Sequence, residues 1–257
     1  MAVELCFIAN FALMKITKER LDRSYAETFN IDSFLQVDPC GIVYELKEHT
    51  DNLLDIELGA LFVAMISWGN RKAIRGAARR MLGVEMKWRP GAFVMSGAYR
   101  DSYLDTRNNC VYRTLNRDAF ILVCENIQSA LAPSGCATLE QYFAGRDIDG
   151  IIRELSVWLK PARLGTFGTS ACKRICMYLR WMIRTQAPDL GLWRNHSQRD
   201  LYAVMDVHVC RLTAELTGMN QASWKSCCRL TQIFRSWDAA DPLKYDVALM
   251  TVVDNGG

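Results

Sequence analysis

The sequence predicts an all-α protein, and three observations carry that expectation. Apolar residues recur at helical spacing in almost every apolar run. No stretch alternates apolar and polar residues long enough to specify a strand. Compact turn signals separate the helical runs (Asp38-Pro39, Arg89-Pro90-Gly91 and Pro133-Ser134-Gly135), with no repeat and no low-complexity linker.

The elements follow in chain order. The amphipathic pattern KITKERLDRSYAETF predicts a helix over 15–28. The preceding MAVELCFIANFALMK is apolar but lacks a cationic region ahead of it and is too short to span a bilayer. It is expected to be neither signal nor anchor, with Met14 as the start. Helices are further predicted over 55–67, 71–82, 117–131, 147–159 and 170–186. The segment KPARLGTFGT, 160–169, holds a proline, two glycines and two threonines between two of these patterns. It reads as a short helix–loop–helix connection, with Thr169 or Ser170 as N-cap of the next helix. A glycine-containing turn that exposes backbone N–H groups at a helix start suits a phosphate, which brings Gly165, Gly168, Thr169 and Ser170 forward as candidate contacts. The last helices are predicted over 207–217, 224–236 and 241–253, with Asp241-Pro242 opening the final one.

Composition bounds the function. A chain of 257 residues, half of them hydrophobic and 23% charged, makes one large domain or two packed lobes. A net charge of +3 permits a nucleic-acid partner only through a local basic groove. The ten cysteines form no CxxC pair and the three histidines no cluster, so neither a metal site nor an iron–sulfur cofactor is expected. Reduced thiols in the cytoplasm are the plain reading of the cysteines.

Two stretches stand apart. In SACKRICMYLRWMIR, 170–184, a wheel of 100° per residue gathers Ala171, Ile175, Tyr178, Leu179, Met182 and Ile183 on one face. Met177, Arg180 and Arg184 fall within about 40° of Lys173 on the other face. That stripe is either a solvated face or a functional one. Lys173 sits in the first turn, where the helix dipole disfavours a cation. In VMDVHVCR, 204–211, Asp206 is flanked by apolar residues and must cap a helix, pair with a cation or perform chemistry. His208 reads as a structural histidine or an acid–base group.

A loop followed by a helix-borne lysine, then an aspartate in a V-x-D-V-H context, resembles the helix–hairpin–helix DNA glycosylases. SACKR, LRWMIR, ISWGNRK and DPLKYDVALM are similar to a bacterial family of conserved proteins of unknown function related to the archaeal 8-oxoguanine DNA glycosylases. The resemblance touches motifs from about 55 to 250, and LGTFGTSACK replaces the usual L-P-G-V-G hairpin.

What it implies is a two-lobed fold with a cleft, 55–180 forming one lobe and 1–54 with 181–257 the other. The implied function is excision of an oxidised purine, most simply 8-oxoguanine, during base-excision repair. Lys173 attacks the sugar and passes through a Schiff base that supports lyase chemistry, and Asp206 stabilises the positive charge and helps deprotonate the amine. No cofactor is implied. The partner is double-stranded DNA carrying a damaged base, and the protein is a cytoplasmic, nucleoid-associated bacterial monomer with no membrane contact. The purine is expected between Met177 and Met250, with Asp246 accepting hydrogen bonds from its edge. Trp68, Asn70 and Arg71 of SWGNRK stand at the corner that fills the gap left by the flipped base; Trp68 as core and Gly69-Asn70 as a helix C-cap is the equal alternative. Arg174, Arg180 and His208 complete the expected DNA contacts. The rival readings are a non-catalytic nucleic-acid-binding protein of the same fold and an enzyme acting on modified RNA or a nucleoside.

Overall fold

The computed structural model describes residues 16–27, 29–103 and 109–254. Fourteen α-helices dominate them, and the fold is all-α. The Met14 start and the apolar stretch before it lie outside the described residues.

Helix α1 spans Lys18–Glu27. Helices α2 (Ile31–Val37) and α3 (Cys40–His49) form where the sequence shows only the Asp38-Pro39 turn. Asn30 caps α2 by accepting the Ser33 N–H at 2.9 Å, and Pro39, with φ −55°, is already helical where α3 begins. Helix α4 (Leu53–Ile66) is apolar all round and therefore buried, from Asp55 to Ile66. The run predicted over 71–82 divides into α5 (Arg71–Arg79) and a π-helical turn, Arg80–Glu85. Arg89-Pro90-Gly91 is not a turn: Pro90 opens α6 (Pro90–Ser96), where its missing N–H costs nothing. A two-stranded antiparallel hairpin, β1 (Cys110–Tyr112) and β2 (Leu115–Asn116), is too short for alternation to register in sequence.

The remaining helices are α7 (Arg117–Leu131), α8 (Leu139–Tyr142), α9 (Ile148–Trp158), α10 (Lys173–Ile183), α11 (Val207–Leu212), α12 (Ala214–Thr217), α13 (Trp224–Trp237) and α14 (Lys244–Asp254). Two expectations change here. The helix over 207–217 breaks at Thr213, and Pro242 lies ahead of α14 instead of in its first turn.

Helix α4 packs against α3, α6 and α10. Inside this body the buried Glu57 carboxylate accepts the N–H of Leu139 at 2.6 Å, that of Glu140 at 3.0 Å and the Trp193 indole N–H at 2.7 Å. Burial outweighs these donors and pushes Glu57 up to about 6. A large apolar cluster runs through α2–α10, and Leu46, Phe62, Phe120 and Trp181 belong to it. A smaller one joins Leu21, Ala203, Met205, Cys227, Phe234 and Leu249. Ala171 belongs to the smaller cluster and Cys172 to the larger, so the two are contiguous at the start of α10. Among the described residues no helix is long and apolar enough to cross a membrane.

Candidate active site at the start of helix α10

Asp206 reaches the site on an extended segment, 201–206, that belongs to no sheet. Side chains satisfy its backbone where strands otherwise would. Thr231 Oγ1 of α13 accepts the Ala203 N–H at 2.9 Å, and Asp246 Oδ2 of α14 accepts the Val204 N–H at 2.8 Å. The Cys227 thiol donates to the Ala203 carbonyl at 3.2 Å. Asp206 then caps α11, its Oδ1 accepting the Val209 N–H at 2.8 Å. The other oxygen, Oδ2, lies 2.8 Å from Nζ of Lys173.

The helix expected over 170–186 begins three residues later, so Lys173, expected in its first turn, is the first residue of α10, and the cap differs too. Neither Thr169 nor Ser170 caps the helix: Cys172 precedes it in the left-handed region at φ 47°, a conformation that costs a non-glycine residue about 1 kcal/mol. Ser170 Oγ instead accepts the Cys172 N–H at 3.3 Å. The Lys173 and Asp206 side chains are 35% and 26% exposed, so the pair stands at the surface of an otherwise buried helix. Burial works against the Asp206 carboxylate, but the Lys173 ammonium and the Val209 N–H overcome it and hold Asp206 below the usual range; His208 adds to this. An acid held ionised beside an amine, at a protein surface, can stabilise a cation that forms there.

The other candidates divide. Gly165, Gly168 and Thr169 are exposed, and Ser170 is half-buried. The Thr169 and Ser170 amides already donate to the Thr166 carbonyl, at 3.2 and 2.9 Å, so those two are not presented to a ligand. Phe167 at the loop tip packs on Trp224, and the Trp224 N–H donates to Thr169 O at 3.2 Å, which docks the loop on α13. Trp68 is half-buried under the Arg113 guanidinium, 4.2 Å from its ring centroid. Asn70 is exposed and is an N-cap, not a C-cap, its Oδ1 accepting the Ala73 N–H at 3.1 Å; helix α4 ends earlier, at Ser67. Arg71 is half-buried beside α2, and His208 is exposed next to Asp206. Arg174 donates to the Met65 carbonyl at 2.7 Å.

The basic stripe is the main correction. Arg180 and Arg184 are 1% and 0% exposed. Arg180 Nε donates to Asp189 Oδ1 at 3.0 Å; Arg184 donates to Asp189 Oδ2 at 3.0 Å and to Asp241 Oδ2 at 2.8 Å. Neither faces solvent, so Arg180 is not a DNA contact, and its charge is matched by Asp189. A helical wheel orders residues by angle but says nothing of what covers each angle, and here irregular segments carrying Asp189 and Asp241 cover the stripe. Met177 shares the burial at 6% exposed, and Met250 is half-buried against the same cluster. Asp246 is 4% exposed, with one oxygen committed to Val204. Burial raises Asp246 to about 6 against the opposing pull of Arg180.

Thr231, Cys227 and Asp189 are the supporting residues that sequence reasoning missed. Each is a small side chain in an unremarkable context; the partners of Thr231 and Cys227 lie more than twenty residues away, and Asp189 sits in an irregular segment just past the helix it serves. Among the described residues no group of three or more His, Cys, Asp or Glu side chains gathers in a way that could hold a metal ion.

The family model described as "Protein of unknown function (DUF2400)" matches residues 38–253. The chain belongs to that family. No curated protein and no solved structure matches it.

Proposed function

We propose that this family member is a DNA glycosylase with lyase activity, acting on an oxidised purine, 8-oxoguanine in the first instance. The observation that carries the reading is the 2.8 Å contact between Lys173 Nζ and Asp206 Oδ2, at the surface and at the junction of two apolar clusters. A partly exposed ion pair contributes modestly to stability, so stability gives little reason to lead a buried helix with a cation, against the dipole, and to lace an irregular segment in place for its partner.

The reaction follows from the pair. The damaged nucleotide is extruded from the duplex, at a cost of a few kcal/mol in lost stacking. The amine of Lys173, having passed a proton to water with the help of Asp206, attacks C1′ of the sugar. The new N–C1′ bond forms as the glycosidic bond breaks, and the base leaves with the electron pair and takes up a proton. Ring opening gives a Schiff base, and loss of a 2′ proton expels the 3′ phosphate. Asp206, ionised and 2.8 Å from the amine, offsets the positive charge that develops on the sugar. The two apolar clusters are read as two lobes, with α2, α3 and the end of α10 in the larger one instead of in the expected lobe of 1–54 and 181–257, and with the DNA cleft running past Lys173. The base is read as lying towards α10 and α14, with half-buried Met250 as its packing surface. The partner is damaged double-stranded DNA.

Incubation with 8-oxoguanine duplex and sodium borohydride tests this. A covalent protein–DNA adduct is expected, and it is expected to vanish in Lys173→Gln. No adduct with any oxidised purine contradicts the lyase chemistry. DNA binding without excision favours a non-catalytic binding protein instead.

A further inference from the structure

Arg174, the residue after Lys173, differs from the other arginines of its helix. Arg180 and Arg184 each face a carboxylate within 3.0 Å. Among the described residues Arg174 has none: Nη1 donates to Met65 O at 2.7 Å and Nη2 to Arg163 O at 3.4 Å, both uncharged acceptors. Two of its five N–H groups are thus engaged, and three remain. Burial lowers its pKa to about 10, and no charge among the described residues offsets it. Arg174 is half-buried, and a guanidinium partly withdrawn from water without a counter-charge is an unfavourable arrangement that an arriving anion would complete.

The same side chain lines a cavity of about 210 Å³. That volume exceeds several waters and falls short of the roughly 300 Å³ at which small-molecule sites begin, so it suits one group of a larger ligand. Arg163, exposed on the turn before the hairpin loop, lines it as a second cation. Thr114 from the β-hairpin adds a hydroxyl, and Trp68 forms a wall that carries Arg113 on its ring. Among the described residues no aspartate or glutamate lines the cavity.

We propose that this cavity is a phosphodiester subsite, in which Arg174 and Arg163 grip a backbone phosphate of the strand whose nucleotide meets Lys173. The proposal rests on the DNA-acting reading and adds to it the point at which the strand is anchored. Because Arg174 adjoins Lys173 on one rigid turn, a phosphate held there fixes how far the neighbouring sugar stands from the amine.

The test is the salt dependence of binding to a duplex containing a tetrahydrofuran abasic analogue, which cannot form a Schiff base. Each phosphate contact contributes about −0.9 to the slope of log affinity against log salt. Arg174→Met keeps the aliphatic stem, and its slope is expected to be shallower than wild type by about that amount, with Arg174→Lys recovering most of it. If Arg174→Met fails to fold, Arg163→Gln on the exposed turn is read in the same assay. Weaker binding with an unchanged slope overturns the proposal and makes Arg174 a packing residue. An unchanged slope with an affinity that now depends on the base opposite the lesion overturns it in favour of a base pocket. If the wild-type protein binds no DNA at all, the reading beneath fails and takes the subsite with it, a result distinct from either of the others.

Discussion

Asp246 accepts the backbone N–H of Val204 at 2.8 Å, and two residues later Asp206 meets Lys173 at the same distance. A residue expected to touch the base is thereby a support for the carboxylate that touches the lysine. Asp246→Ala is expected to slow the proposed excision by about 10²-fold, because a displacement of about 1 Å at Asp206 has that effect. DNA affinity should change much less. Single-turnover rates alongside equilibrium binding separate the two, and an equal loss in both would make Asp246 a base contact after all.

Asp206 has two jobs, and one substitution divides them. Asparagine caps helices as well as aspartate does, so Asp206→Asn should leave the urea midpoint nearly unchanged. The excision rate should fall by about 10²–10³-fold, since the charge that offsets the cationic sugar is gone. Asp206→Ala loses the cap as well, and about 1 kcal/mol of stability with it. A large stability loss in the asparagine variant would mean that the carboxylate serves folding first.

The Arg180–Asp189–Arg184 cluster predicts a stability phenotype without a binding one. Asp189→Asn leaves Arg180 buried without its charge partner and takes from Arg184 one of its two carboxylates. Removing one partner from a buried pair typically costs about 3–5 kcal/mol, which urea denaturation would register. The salt slope of DNA binding should not move, because neither arginine reaches the surface.

Glu57 supplies a pH dependence. Its folded-state value, raised to about 6 from an ordinary 4.5, means that the folded chain holds the proton more tightly than the unfolded one. The stabilisation from its neutral form is full below pH 4.5 and is lost as pH rises through 6. Wild type compared with Glu57→Gln should therefore lose about 2 kcal/mol of relative stability between pH 4 and pH 7. A flat difference across that range would place the titration elsewhere.

How much of this was legible in the sequence depended on whether the signal was local. Lys173 at a helix start and Asp206 at a helix cap are local facts, visible in SACKR and VMDVHV, and their meeting followed from the resemblance. The long helices α4, α7, α9 and α13 were equally visible, each presenting a sustained apolar pattern. What failed was anything set by partners outside the helical patterns. Arg180 and Arg184 looked solvated because Asp189 and Asp241, which bury them, lie in irregular segments with no periodicity to announce them. Helices α2 and α3 were missed because each is short and a proline sits between them. The role of Thr231 depends on a backbone N–H at Ala203, which no side-chain pattern encodes.

The most direct test of the central claim is the identity of the residue that bonds to DNA. Peptide mapping by mass spectrometry, after borohydride reduction on 8-oxoguanine duplex and nuclease digestion, reads it without ambiguity. The expected result is one modified peptide carrying the sugar remnant on Lys173, with trypsin failing to cut after that residue. An adduct on any other lysine, or excision of the base with no adduct at all, would contradict the assignment of Lys173 as the nucleophile.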